Sequence, residues 1–213
     1  MRFDAVVFDL YQTLIPYDSA IAERGYRKMA AGIGVPHAKF VELWREGRPL
    51  RDTGPLRDYV SRFVAGLDVD ESAVETLLRI RRVDTRALLQ PDVSVVRVLD
   101  ELRQRGKRLA VVSVCSEDLV DVWNETPFAS RFDAVAFSCV LGVAKPDPAV
   151  YLHLCDLLDT PPSRCLYVGD GANDELRGAK AVGMTAVQLL VPGGEPPWGG
   201  PAIESLAEVL ELA

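Results

Sequence analysis

Short apolar runs recur along the chain and alternate with segments of helical periodicity. The runs have the length of strands, and continuous apolar strands joined by helices are typical of a parallel sheet covered on both faces. The predicted strands are Ala5–Phe8, Leu109–Ser113, Ala134–Phe137, Leu166–Val168 and Thr185–Leu190.

Capping signals mark helices between these runs. Asp92 is placed to cap a helix that ends at Gly106, and Asp147-Pro148 joins a cap to a proline at the first helical position. A last helix is predicted to carry Ile203, Leu206 and Leu210.

Residues 16–89 interrupt the alternation, because they contain helical patterns and no run with strand character. The four predicted helices are Ser19–Ala31, His37–Glu46, Pro55–Ala65 and Glu71–Leu88. Helices of this number and size form a small bundle. We therefore predict an α/β fold. A three-layer, Rossmann-like core with a parallel sheet comprises residues 1–15 and 90–213, and a helical-bundle cap is inserted at residues 16–89.

Composition narrows the function classes. The 213 residues carry a net charge of −7, which argues against nucleic-acid binding because such binding needs a basic face. The apolar runs are far shorter than the roughly 20 residues of a membrane helix. The N-terminus lacks a signal-peptide pattern and the four cysteines form no CxxC pair, so we expect a cytoplasmic protein, monomeric or dimeric.

Polar residues close the predicted strands, and ligands of such sheets bind at the carboxyl ends of strands. Asp9, Ser113 and Asp170 occupy these positions, and Lys145 lies between two prolines after the third strand. Asp174 follows four residues after Asp170. Carboxylates crowded at one sheet edge need a cation, and hard oxygen ligands without a nearby histidine suit Mg²⁺.

Four segments in this order resemble the motifs of the haloacid dehalogenase superfamily, and the likeness covers nearly the whole chain. The segments are Asp9-Leu-Tyr-Gln-Thr13, Ser113 after an apolar strand, Lys145-Pro-Asp-Pro, and Gly169-Asp170 through Asn173-Asp174. The insert after the first segment is similar to the smaller helical cap of that family.

The resemblance implies a Mg²⁺-dependent hydrolase that acts on a small phosphorylated molecule. Asp9 is then the nucleophile that forms an aspartyl-phosphate. The implied metal ligands are Asp9, the backbone carbonyl of Tyr11, and Asp170, with Asp174 orienting a water bound to the ion. Lys145 and Ser113 hold the phosphoryl oxygens and Thr13 supports the loop. Gln12 and Val114 complete the expected substrate-binding set.

Tyr11 departs from the phosphatase pattern. Phosphatases of the family usually place a second aspartate there, as the acid for the leaving group, whereas its 2-haloacid dehalogenases carry tyrosine. Dehalogenases, however, need no metal, lack the acids of the fourth segment and have asparagine where this chain has Val114. We therefore favour a phosphatase and keep a dehalogenase acting through an aspartyl ester as the alternative. A catalytically weak binding or regulatory protein is a further alternative.

Specificity is expected to lie in the insert. Candidate contacts are Tyr17, Asp18, Trp44, Arg45 and Arg48, although we favour core packing for Trp44 and a solvated surface for the two arginines.

Overall fold

A six-stranded parallel sheet lies at the centre of the computed structural model, which describes residues 3–17 and 19–213. The strands are β1 (Ala5–Asp9), β2 (Arg108–Ser113), β3 (Ala134–Phe137), β4 (Cys165–Gly169), β5 (Thr185–Leu189) and β6 (Ala202–Ile203). Their order is β3-β2-β1-β4-β5-β6, and every neighbouring pair is parallel. The order reverses between β1 and β4, which opens a crevice at their carboxyl ends.

Helices follow the first strand without interruption up to residue 88. They are α1 (Ser19–Gly32), α2 (His37–Glu46), α3 (Arg48–Asp52), α4 (Leu56–Ala65) and α5 (Ala73–Leu88). The short helix α3 was not predicted, because a glycine commonly ends a helix and Gly47 was interpreted in that way. The chain turns at Gly47 and continues directly into α3. Met1, where the predicted core begins, and Asp18 lie outside the described residues.

The remaining helices cover the two faces of the sheet. They are α6 (Val93–Gln104), α7 (Glu117–Trp123), α8 (Ser138–Leu141), α9 (Pro148–Leu157), α10 (Glu175–Ala181) and α11 (Val209–Leu212). The predicted caps form as expected: the side chain of Asp92 accepts a hydrogen bond from Ser94 N at 2.7 Å, and that of Asp147 accepts one from Ala149 N at 2.8 Å.

Apolar side chains of alternate strand positions pack on opposite faces of the sheet. On one face Phe8 belongs to a buried cluster with Leu99 of α6, and on the other Val7 belongs to a cluster with Tyr151 of α9. Because both faces of the sheet are covered, successive strand residues are buried on alternate sides, which explains the continuous apolar runs in the sequence. The predicted α/β fold with a three-layer core is confirmed.

The insert has an apolar cluster of its own, built around stacked and edge-on aromatic rings. Phe40, Trp44, Tyr59 and Phe63 are buried there, with ring centroids 5.1–5.9 Å apart in each contacting pair. This separate cluster supports the proposed division into a core and a cap at residues 16–89.

The C-terminal segment differs from its prediction. Ile203 belongs to the edge strand β6, Leu206 lies in a 3₁₀ turn and only Leu210 lies in α11. A capping box formed by Ser205 and Glu208 starts the helical segment after Ser205 and leaves Ile203 to pair with β5.

Candidate active site

Four elements bring charged side chains to the crevice beside β1 and β4. Asp9 is the last residue of β1, Asp170 follows β4, and Lys145 lies on the loop between α8 and α9. Glu175 is the first residue of α10. All four are buried, so their charges interact in a medium that screens them far less than water does.

The Lys145 ammonium is the centre of this cluster. It donates to Asp9 Oδ1, to Glu175 Oε2 at 2.5 Å and to the Tyr167 hydroxyl oxygen at 3.4 Å. Burial alone would lower the pKa of Lys145, but the carboxylates of Asp9 and Glu175 reverse this and the pKa is raised. Lys145 is therefore a fixed positive charge beside Asp9.

The Glu175 carboxylate is fully buried and completely hydrogen-bonded. Besides Lys145, it accepts from the Tyr167 hydroxyl at 2.7 Å and from the backbone N–H of Gly171 at 3.0 Å. Gly169 leaves room for it, because a Cβ at that position would overlap Glu175 Oε1. Sequence analysis missed this residue.

Asp174 is not at the place that was predicted for it. Its side chain is 63% exposed and lies 3.6 Å from Arg177 Nη1. Asn173 and Asp174 both have left-handed backbone angles, with φ of 56° and 57°. This turn delays the start of α10 by one residue, so that Glu175 enters the crevice in place of Asp174.

Three carboxylates of the cluster meet at one point. Asp9, Asp170 and Glu175 each offer an oxygen within 4.8 Å of the others. Burial raises the pKa of Asp9 to about 7 against the opposing charge of Lys145, and raises the pKa of Asp170 to about 6. One lysine cannot balance three carboxylates, and their hard oxygen donors fit Mg²⁺.

The loop after β1 carries the remaining residues of the first motif. Gln12 has a left-handed φ of 64°, and its N–H donates to Ile15 O at 2.7 Å, which closes a tight turn. Tyr11 forms an isolated bridge with Ile15 beside Asp9. The role of its carbonyl as a metal ligand stays a prediction.

Two hydroxyl groups near the crevice are buried without a hydrogen-bond partner among the described residues. They belong to Thr13 and Ser113, the latter at the end of β2. A buried hydroxyl normally has a partner, because an unmet one costs free energy. These two are suited to an anion that the protein itself does not contain.

A cavity of about 800 Å³ lies between the crevice and the insert. Residues of the core that line it include Asp9, Tyr11, Gln12, Val114, Lys145 and Asp170. Residues of the insert that line it include Tyr17, Trp44, Arg48, Arg51 and Arg81. Among the candidates in the insert, Arg45 does not line the cavity. Among the candidates in the core, Thr13 and Ser113 do not line it.

An ion pair between a partly buried arginine and a buried aspartate joins the insert to the core beside this cavity. Arg81 of α5 donates to Asp118 of α7 at 2.8 Å and to Ser116 Oγ at 2.7 Å, and Thr85 also donates to Asp118. Burial would raise the pKa of Asp118, but Arg81 and these hydrogen bonds lower it. Neither Arg81 nor Asp118 belongs to a recognisable motif, so sequence analysis had no signal for the pair.

A glycine- and proline-rich segment closes another side of the cavity. Gly193, Gly194 and Glu195 line it. Gln188 of β5 is fully buried beneath this segment, where it donates to Asp170 O at 2.8 Å and accepts from Trp198 N at 3.0 Å. Gln188 thus ties the segment to the backbone of the crevice.

No helix in residues 3–17 and 19–213 has the length and apolar character needed to cross a membrane.

Comparisons with known proteins agree with this geometry. Residues 3–183 match the family described as haloacid dehalogenase-like hydrolase. The chain is 28% identical over 198 residues to Phosphatase MT3486 of Mycobacterium tuberculosis, with 87% of each chain covered. It is 26% identical over 209 residues to (S)-2-haloacid dehalogenase 4A of Burkholderia cepacia, covering 90% of this chain and 85% of that one.

A solved structure shares the fold. The HAD phosphatase from Thermococcus onnurineus superposes with a TM-score of 0.72 at 23% identity, covering 99% of this chain and 97% of that one.

Proposed function

Because this chain belongs to the haloacid dehalogenase-like hydrolase family, we propose that it is a Mg²⁺-dependent phosphatase in which Asp9 is the nucleophile. The substrate we propose is a small phosphorylated molecule. The observation that carries the proposal is the meeting of Asp9, Asp170 and Glu175 around one point, with Lys145 in contact with Asp9.

In the proposed reaction, an oxygen of the Asp9 carboxylate attacks phosphorus while the bond to the leaving-group oxygen breaks. Water then attacks the phosphorus of the aspartyl-phosphate, releasing inorganic phosphate and regenerating Asp9. Mg²⁺, if bound, would supply positive charge that reduces the repulsion between the Asp9 carboxylate and the anionic phosphate. Asp9, Asp170 and Glu175 are the side chains that fit it.

The surrounding residues position the phosphoryl group. Lys145 is a fixed cation whose contact with Asp9 lets it neutralise charge on the transferred group. The Thr13 and Ser113 hydroxyls are buried without partners in the part of the chain described, and we propose that they donate to the phosphoryl oxygens. Positioning and electrostatics supply most of the rate in such reactions.

Tyr11 limits the leaving groups that this site can expel. Burial raises the pKa of Tyr11 well above its usual value, so the phenol stays protonated at neutral pH. It cannot act as a base there and is a weak acid. We therefore propose that good substrates have a leaving group that needs little protonation, or bring a proton donor of their own.

A haloacid dehalogenase is the second candidate, and Tyr11 is the observation that favours it. Displacement of a halide by Asp9 needs no proton on the leaving group, and one relative is named (S)-2-haloacid dehalogenase 4A. The buried acidic cluster favours the phosphatase, because a halide displacement has no use for three carboxylates around a cation.

The discriminating experiment measures phosphate release from an aryl phosphate with and without Mg²⁺, beside chloride release from 2-chloropropionate. The phosphatase proposal expects phosphate release that needs Mg²⁺ and is lost in Asp9→Asn. Chloride release without metal, with no phosphate release, would show the dehalogenase instead.

We also propose that the protein is cytoplasmic, is a monomer or dimer, and binds neither nucleic acid nor membranes. Cys115, Cys139, Cys155 and Cys165 are all buried.

A further inference from the structure

Four arginines of the insert line the cavity: Arg24 of α1, Arg48 and Arg51 of α3, and Arg81 of α5. Two of them have a carboxylate partner. Arg48 pairs with Asp52 at 3.0 Å, and Arg81 pairs with Asp118 at 2.8 Å. The four arginines therefore carry two more positive charges than these two carboxylates balance.

Of the two arginines without such a partner among the described residues, Arg24 is exposed and Arg51 is buried. Only 5% of the surface of Arg51 is exposed, and no carboxylate of the described residues lies within ion-pair distance of its guanidinium. Its Nη1 donates to the carbonyl of Trp44 at 2.5 Å, and its guanidinium lies 4.3 Å from the Trp44 ring centroid and 4.9 Å from that of Tyr59. All these partners are neutral.

The electrostatic environment opposes this charge. Burial is the largest effect and lowers the pKa of Arg51; Tyr59 opposes it, and the neighbouring positive charge of Arg81 lowers the pKa further. A buried cation without an anion is costly. A ligand anion in the cavity would remove that cost.

We propose that Arg51 binds a second anionic group of the substrate, so that the substrates are phosphate monoesters that also carry a carboxylate or a further phosphate. Contact with two rings limits the movement of the Arg51 guanidinium, whose planar set of N–H donors matches the oxygens of either group. The inference rests on the proposed phosphatase function and narrows its substrate class.

The test uses aryl phosphates, whose leaving groups need little protonation, with a side chain of about two to four carbons on the ring that ends in a methyl, a carboxylate or a second phosphate. Wild-type kcat/KM is expected to be about 10- to 100-fold higher for the anionic ends than for the methyl end at the best chain length, the usual value of a hydrogen bond to a charged group. The carboxylate and phosphate arms show which oxyanion the site prefers.

Arg51→Met tests the residue, with Arg45→Gln as the matched control. Arg45 is also a cap arginine beside an aromatic ring, 5.5 Å from the centroid of Tyr26, but it is not part of the cavity wall. Arg51→Met is expected to reduce the anionic-to-methyl ratio of kcat/KM about 10- to 100-fold, mainly through KM. Arg51→Lys should restore part of it, and Arg45→Gln should leave it unchanged.

Two failures are distinguishable. Equal wild-type kcat/KM for methyl and anionic ends would overturn this inference while leaving the phosphatase intact. Absence of Mg²⁺-dependent phosphate release from every ester, aryl phosphates included, would overturn the proposed function itself. If Arg51→Met does not fold, the wild-type substrate series still decides the matter.

Discussion

Glu175 holds the ammonium of Lys145 at 2.5 Å across the edge of the sheet, so that one residue of α10 fixes the cation beside the nucleophile. Its neighbour in the sequence, Asp174, points a mostly exposed carboxylate away from this contact. The two acids thus have the same chemistry in very different surroundings.

This contrast gives a matched pair of variants. Glu175→Gln removes a carboxylate that holds Lys145 and belongs to the acidic cluster, and we expect it to lower phosphatase activity or Mg²⁺ affinity about 10- to 100-fold. Asp174→Asn is expected to stay close to wild type. Titration of activity with Mg²⁺ measures both, and a larger loss in Asp174→Asn than in Glu175→Gln would refute the assignment.

The choice between these acids shows where sequence reasoning stopped. The end of β4 and the start of a helix could both be predicted from Leu166–Val168 and the acidic segment that follows. Which carboxylate turns inward depends on two consecutive left-handed residues, Asn173 and Asp174, and such a turn leaves no periodic signal. Both residue types tolerate this conformation, which was the only available hint.

Arg51 illustrates a second limit. Strand ends converge on one edge of a sheet by topology, so Asp9, Lys145 and Asp170 could be placed together from the sequence. The position of an inserted bundle over that edge is set by packing between distant segments, such as α5 on α7. Arg48 was a candidate from its place in the insert, but no local pattern encodes this packing, and Arg51 and Arg81 could not be assigned to the cavity.

The ion pair between Arg81 and Asp118 is expected to stabilise the attachment of the insert. Asp118→Ala removes the carboxylate partner of Arg81, whose side chain is 24% exposed, and we predict a loss of about 1.5–3 kcal/mol in the free energy of unfolding. Glu125→Ala is the control, because its pairs with Arg82 and Arg86 are about half exposed and contribute about 0–1 kcal/mol. Urea denaturation measures both variants, and equal losses would contradict the prediction.

Gly178 allows α10 to lie directly against the loop that carries Lys145. A Cβ there would come within 2.9 Å of Pro146 O and 2.7 Å of the Tyr151 hydroxyl. Gly178→Ala is therefore expected to destabilise the protein by about 1–3 kcal/mol, because α10 must move away. Gly25→Ala, in α1 with open space around its Cβ, should be neutral or stabilise by up to about 1 kcal/mol. Thermal unfolding of both variants checks the contrast.

Stability without Mg²⁺ should depend on pH through Asp9 and Asp170. Their pKa values of about 7 and about 6 lie above the ordinary 3.8. Between pH 3.8 and these raised values, the two carboxyl groups are protonated in the folded state and ionised in the unfolded chain. Their contribution is therefore greatest at low pH and is lost as pH rises through about 6 to 7. Because protons and Mg²⁺ compete for the same oxygens, added Mg²⁺ should raise Tm more at about pH 8 than at about pH 5.5.

Asp170→Asn tests this assignment, since it removes one of the titrating groups. Its Tm in a chelator should change less between about pH 5.5 and about pH 8 than that of wild type. Asp174→Asn serves as the control and should follow wild type. Asp118 has the opposite effect on the pH dependence of stability. Its pKa is lowered in the folded state, so the stability that it contributes is lost only at acid pH. A Mg²⁺ effect on Tm that is the same at both pH values would contradict the prediction.

The leaving group should govern the rate of this enzyme more strongly than it would if an aspartate stood at position 11. Without a carboxylic acid there, the leaving oxygen departs with little protonation, so the rate should fall steeply as its pKa rises through a series of aryl and alkyl phosphates. Tyr11→Asp places an acid two residues after Asp9 and should flatten that dependence, since general acid catalysis is typically worth about 10²–10⁴-fold. Tyr17→Asp is the matched control, because its ring lies 5.1 Å from that of Tyr11 and also lines the cavity. A flat dependence in wild type would mean that another group already donates the proton, and an equal response in both variants would mean that the effect is one of added charge alone.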